Sequence, residues 1–179
     1  MNTPHLLVIG GTGFIGHHLL RSVRQKGWQM TSVSLNPPTE ERFVDSVRYF
    51  QLDLTDAYAV KNSLGEEYEY VVNLGGYIDH TLFESGGRCL INAHFNALQN
   101  LVEVLHRGSL KRFVQIGSSD EYGNAPAPQQ EGLREQPISP YSLGKVASTH
   151  FLQMLHRTEG FPAVILRLFL TYGPGQENR

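Results

Sequence analysis

The stretch His5-Leu6-Leu7-Val8-Ile9-Gly10-Gly11-Thr12-Gly13-Phe14-Ile15-Gly16 decides the fold. The apolar run from Leu6 to Ile9 has the length of a buried strand, and glycines follow at once. Phe14, Ile15, Leu19, Leu20 and Val23 then recur at helical spacing. Gly10, Gly13 and Gly16 therefore fall on the turn between a strand and an amphipathic helix. A tight turn there brings backbone N–H groups and the positive end of the helix against a pyrophosphate, where any Cβ would collide. The third glycine also lets helix and strand pack closely. Gly10, Gly13, Phe14, Ile15 and Gly16 are thus expected to line a dinucleotide cofactor.

The same opening does not read as an export signal, because no Lys or Arg precedes it and its apolar run is short. No stretch approaches the ~20 apolar residues of a membrane helix. Apolar residues make up 40% and charged residues 18%, with a formal net charge of -2, which excludes a general electrostatic pull toward nucleic acid or acidic membranes. Cys89 is the only cysteine, so neither an intrachain disulfide nor a cysteine-based zinc site can be built. A cytoplasmic protein with no nucleic-acid or membrane partner is expected.

Outward from the opening, short apolar segments at 5–9, 30–34, 47–51, 70–74, 112–116 and 163–168 alternate with helical patterns. These patterns lie at 14–23, 57–64 (the weakest), 88–106 and 141–156. The alternation predicts an α/β fold with a doubly wound parallel sheet, Rossmann-like, as one domain over 1–179. The first, fourth, fifth and sixth strands are the more continuously apolar, as strands covered on both faces should be. Glycine- and proline-bearing gaps at 75–87 and 122–140 leave the strand ends, the edge where open α/β sheets bind ligands.

An acid at the end of the second strand normally holds the adenosine ribose of NAD. Here Ser32-Val33-Ser34-Leu35-Asn36-Pro37-Pro38 brings none before Glu40. Ser34 with Arg42 could instead receive a 2′-phosphate, so NADP is favoured over NAD. Further along, Tyr141-Ser142-Leu143-Gly144-Lys145 sets a phenol and an ammonium on one helix face. The amine is expected to lower the phenol's pKa and make it a usable acid and base. Ser118 and Ser119 follow the fifth strand, where a hydroxyl can hold a substrate oxygen beside the phenol.

With these pieces in order, the chain resembles the extended short-chain dehydrogenase/reductase family of nucleotide-sugar epimerases, 4,6-dehydratases and 4-ketoreductases. The carrying motifs are the glycine turn, Asp53-Leu54-Thr55, Ser118-Ser119-Asp120-Glu121-Tyr122-Gly123, Ser139-Pro140-Tyr141, Lys145, and Arg167 with Tyr172-Gly173-Pro174-Gly175. The resemblance implies that Ser118 and Tyr141 bind and titrate a sugar's C4 oxygen. It implies that Lys145 holds the nicotinamide ribose, with Asp53 and Leu54 at the adenine and Pro174 near the nicotinamide. Leu74, Gly75 and Gly76 would line the cofactor, and Ser119, Asp120 and His94 are candidate substrate contacts. The block ending in Tyr122-Gly123 looks most like the GDP-mannose dehydratase and GDP-4-keto-6-deoxymannose reductase branch.

Three positions depart from the family pattern. Asn73-Leu74-Gly75-Gly76 stands where His-Leu-Ala-Ala is usual, His94 where Asn is usual, and Leu170 where an Asn often contacts the substrate diphosphate. Asp120 falls at the dehydratase Glu position and is a methylene shorter.

The leading expectation is an NAD(P)-dependent epimerase or reductase at C4 of a nucleotide-activated sugar, with Tyr141 moving the proton. The alternatives are a nucleotide-sugar 4,6-dehydratase, a carbonyl reductase for a non-sugar ketone, and a non-catalytic cofactor-sensing module. A homodimer through 88–106 and 141–156 follows from the resemblance. So does the expectation that the segments of a C-terminal substrate lobe are missing after Arg179, leaving these residues inactive alone and apolar surface exposed around 166–172. No metal is expected: the eight histidines form no ligand pattern, the neighbours His17 and His18 should point apart, and His80 reads as structural.

Overall fold

The computed structural model describes residues 3–176. Its strands are β1 (His5–Ile9), β2 (Gln29–Ser34), β3 (Val47–Gln51), β4 (Tyr70–Asn73), β5 (Arg112–Ser118) and β6 (Ala163–Leu168). All neighbours pair in parallel, in the order β3-β2-β1-β4-β5-β6. The helices are α1 (Phe14–Arg24), α2 (Ala57–Ser63), α3 (Arg88–Ile91), α4 (Ala97–Val104) and α5 (Pro140–Glu159), with a π-helical turn, Asn92–Asn96, joining α3 to α4. This is the doubly wound Rossmann-like sheet that the alternation predicts.

Residues alternate across each strand, so β1 feeds two cores at once. Leu7 and Ile9 join Val33, Val71 and Phe113 under Val60 of α2, Leu98 and Leu101 of α4, and Leu152 of α5. Leu6 and Val8 join Met30 under Leu20 and Val23 of α1. Each such side chain, taken fully out of water, stabilises by roughly 1.5–3 kcal/mol before entropy is counted. Among the described residues no helix is long and apolar enough to cross a membrane.

Two strands differ from their sequence reading. β2, with its Thr and Ser residues, is buried from Met30 to Val33, whereas the more apolar β6 is only half-buried. Position in the sheet explains both. β2 lies between β1 and β3, and its buried Thr31 hydroxyl bonds His5 Nε2 at 2.9 Å. β6 pairs with β5 alone at the sheet edge. Leu166, Phe169, Leu170 and Tyr172 are all exposed.

Because β1 leads outward to β2 and β3 and the chain then returns to β4, a crevice opens at the carboxyl ends of β1 and β4. Two loops meet there. Gly10 N–H donates to Val33 O at 2.7 Å, and Leu74 N–H to Ile9 O at 3.0 Å. α5 starts where Ser139 caps it, its hydroxyl accepting from Ser142 N–H at 3.1 Å while Ser142 Oγ accepts from Ser139 N–H at 2.9 Å. That reciprocal cap, with Pro140 in the first turn, holds Tyr141 at the head of a 20-residue helix.

Candidate active site

The glycine turn has the shape its spacing predicts. Gly10 sits at φ +77°, a conformation L side chains rarely adopt, and a Cβ at Gly16 would stand 2.2 Å from Gly10 O. The first intrahelical bond of α1 runs from His17 N–H to Gly13 O at 3.0 Å. The N–H groups of Phe14, Ile15 and Gly16 therefore have no intrahelical acceptor and point out of the helix's positive end. A cradle closed to Cβ and open to an anion fits the pyrophosphate of a dinucleotide. Pro174 returns to this helix, its carbonyl accepting from His18 Nε2 at 3.0 Å.

Ser34 and Arg42 are turned toward the loop. Ser34 Oγ accepts from Thr12 N–H at 3.3 Å, and Arg42 reaches Thr12 O at 3.4 Å and Gly175 O at 3.3 Å. Asp53 closes a local turn by accepting from the N–H and hydroxyl of Thr55, both at 2.8 Å. The Leu54 side chain is buried in the core, so only its backbone can face an adenine.

Ser118, Tyr141 and Lys145 converge beyond the end of β5. All three are nine-tenths or more buried. Tyr141 and Lys145 share a face of α5, and the Lys145 Nζ stands 5.7 Å from the Tyr141 ring centre while donating to Ile116 O at 3.0 Å. The expected fall in the phenol's pKa is not found. Burial pushes Tyr141 up, a hydrogen bond with Ser118 draws it back, and the Asp120 and Glu121 carboxylates push it further up. Burial lowers Lys145 to about 8, with the Glu121 charge opposing the fall. The amine lies beside the ring, bound to backbone, so its charge has little hold on the phenol oxygen.

Glu121, which sequence reasoning passes over as part of a motif, organises this corner. It is fully buried. Its Oε1 accepts from Ser118 N–H at 2.9 Å, and its Oε2 accepts from Thr149 Oγ1 at 2.8 Å and Arg167 Nε at 2.9 Å. A carboxylate in a Ser-Ser-Asp-Glu run suggests solvent; the distant Arg167 is what lets it be buried.

His80 is the second residue missed. It lines a cavity of about 680 Å³ with Ser119, Asp120, Gln129, Ser139 and Phe169. Its ring lies edge-on to Tyr141 at 5.9 Å and 3.9 Å from the Asp120 carboxylate. His94 approaches Tyr141 from another side, with ring centres 5.0 Å apart. Leu74, Gly75 and Gly76 lie at the crevice, where Gly75 N–H donates to Asn73 Oδ1 at 3.0 Å. The His17 and His18 rings do not point apart: they touch, with centres 4.0 Å apart, because His17 turns back to Phe14 O. No group of three or more metal-binding side chains occurs among the described residues.

The model of the NAD dependent epimerase/dehydratase family matches residues 6–179. The chain belongs to that family. An uncharacterised UDP-glucose epimerase of Bacillus subtilis is 26% identical over 96% of this chain and 58% of its own length. A dTDP-glucose 4,6-dehydratase of Haemophilus influenzae is also 26% identical, over 96% of this chain and 57% of its own length. The crystal structure of the Thermus thermophilus UDP-glucose 4-epimerase in complex with NAD superposes with a TM-score of 0.85 at 25% identity, covering 97% of this chain and 57% of that one. The chain thus spans somewhat over half the length of such relatives. These members of the epimerase/dehydratase family do not single out the GDP-mannose branch that the Ser118–Gly123 block suggests.

Proposed function

We propose that this chain is one NAD-binding domain of an enzyme acting at C4 of a nucleotide-activated sugar, carrying the acid–base residues for that step. The convergence of Ser118, Tyr141 and Lys145 at the carboxyl end of β5, next to a glycine cradle at the switch point, carries this reading. When bound, NAD supplies the acceptor and donor for hydride at the sugar carbon. The Ser118 hydroxyl holds the C4 oxygen. Tyr141, kept protonated by burial, gives its proton to a C4 ketone, and in the reverse direction the phenolate left behind takes the proton of a C4 alcohol. Lys145, still cationic near neutrality, would hold the nicotinamide ribose.

NAD is the proposed cofactor. Neither the family nor the NAD-bound relative supports the NADP preference drawn from the missing acid, and Ser34 and Arg42 both bond to the glycine loop. A sensing module has no use for the buried trio.

Dehydration is an equally supported second reading. The Haemophilus influenzae relative is a dTDP-glucose 4,6-dehydratase, and Asp120 lines the cavity with His80. Asp120 would take the C5 proton before the C6 hydroxyl leaves. Partnership with a second copy is proposed through the outer faces of α3, α4 and α5, and a cytoplasmic location is retained as a proposal. The test is to titrate the chain with NAD, then supply UDP-glucose and dTDP-glucose to a complete enzyme carrying this domain and follow C4 and C6 by NMR. A C4 epimer and a 4-keto-6-deoxy product separate the two readings. Failure of NAD to bind at millimolar concentration overturns both.

A further inference from the structure

His94 and Gly76 are two departures from the family pattern, and in the structure they are one. Gly76 lies on the turn after β4 at φ +101°, and a Cβ placed on it would stand 2.1 Å from Cε1, 2.4 Å from Nδ1 and 3.0 Å from Nε2 of His94. Carbon atoms do not approach a ring that closely. The imidazole occupies the volume a side chain at 76 would need.

His94 is held there from three directions. It lies on the π-helical turn Asn92–Asn96, whose extra residue per turn carries it inward. Its carbonyl accepts from Ser148 Oγ of α5 at 3.1 Å, and its Nε2 donates to Tyr77 O at 2.9 Å. Donation from Nε2 leaves Nδ1 bare, and that nitrogen is buried without a partner. Burial first, and then the nearby Lys145 charge, lower the imidazole to about 4, so it stays neutral. A group that accepts an orphaned nitrogen in this place is there for the shape of its ring. One edge of the ring meets the backbone of Gly76, and the ring also packs edge to face on Tyr141 at 5.0 Å.

We propose that His94 is a positioning residue wedged between the cofactor-facing turn and Tyr141, and that Gly76 is glycine because this ring needs its place. The wedge transmits the position of the 75–77 backbone to the phenol. This rests on the NAD reading above, because that turn is assigned to the cofactor.

The experiment is a double-mutant cycle in the full chain: wild type, Gly76→Ala, His94→Asn and the double variant. Two quantities are read: the Tyr141 ring resonances without ligand, and the Kd for NAD. Gly76→Ala carries backbone strain in both backgrounds, so only the difference between backgrounds reports the ring contact. Expected is a large Tyr141 shift and at least tenfold weaker NAD binding from Gly76→Ala with His94 present. In the His94→Asn background the same change should cost at least tenfold less in Kd and barely move Tyr141. Equal penalties in the two backgrounds would overturn the proposal. If wild type does not bind NAD, the cofactor reading fails, and the Tyr141 resonances alone decide whether the wedge exists.

Discussion

Arg167 on β6 donates from Nε to Glu121 at 2.9 Å, tying the sheet edge to the turn that carries Ser118. The guanidinium also lies over the Tyr122 ring at 4.8 Å and bonds Glu135. The pair spans 46 residues of sequence, so the serine's place depends on a strand formed late in the chain. A buried ion pair adds little net stability over apolar packing, but removing one partner strands the other charge and costs about 3–5 kcal/mol.

Arg167→Met should therefore destabilise the chain by about 3 kcal/mol, because Glu121 is left in a dry site without its cationic partner. Glu121→Leu together with Arg167→Met should recover much of that loss, yet leave Ser118 without the acceptor for its N–H. Urea unfolding measures the first effect. Turnover measures the second, and a fully active double variant would show that Ser118 does not need Glu121.

In a complete enzyme carrying this domain, Tyr141→Phe should lower turnover by ~10²–10⁴-fold while NAD affinity stays nearly unchanged, if the phenol moves the proton and contributes little binding. More than a tenth of wild-type activity in that variant would remove Tyr141 from the acid–base role.

The sheet was legible because burial on both faces imposes apolar runs, and because the glycine turn tolerates few substitutes. Ser118, Tyr141 and Lys145 were legible as types at set offsets from strand and helix starts. Glu121 was not, since a buried carboxylate is understood only once Arg167 is seen across the fold. His80 hid on a loop without periodicity. The sign of the Tyr141 shift was misread because spacing along a helix reports neighbours but not burial, and burial is the larger effect here. The departures at 76 and 94 were each visible in the sequence, but their contact needs three dimensions.

The acid limb of the stability curve should carry a His94 signature. In the folded chain the imidazole is lowered to about 4 from an ordinary 6.5. Between those values the unfolded chain binds a proton that the folded chain refuses, so stability rises with pH across that window and flattens above it. On going from pH 7 to pH 5 this costs about 2 kcal/mol. Glu135, Glu69 and Asp79, all lowered by their partners, add a rise of the same sign at lower pH. Subtracting the His94→Asn curve from wild type isolates the histidine. Parallel curves from pH 5 to 7 would mean that the ring is not buried in its neutral form.

Arg42 should act on cofactor binding through the loop it ties. Its contacts to Thr12 O and Gly175 O hold the glycine turn against the segment after β6. Arg42→Ala is expected to weaken NAD and NADP by a similar factor, with NAD the tighter ligand throughout. A selective loss of NADP affinity on fluorescence titration would restore a 2′-phosphate role to Arg42.

The outer faces of α3, α4 and α5 make the last prediction. Leu143 and Met154 are 45% and 43% exposed, and Phe151 packs edge-on against Phe95 of the π turn at 5.9 Å between them. Residues 143, 147, 151 and 154 follow one helical stripe, opposite the face that buries Tyr141, Lys145, Ser148 and Leu152. A second copy could cover that stripe by a two-fold contact, in which each residue meets the same patch on its partner. Burying what is still exposed of Leu143 and Met154 would contribute roughly 0.7–1.3 kcal/mol per side chain on each copy. Leu143→Glu would put two carboxylates into that contact and should give a monomer. Sedimentation of wild type and variant tests this directly: dimer for the first and monomer for the second is expected, while a wild-type chain that stays monomeric at high micromolar concentration would rule the interface out.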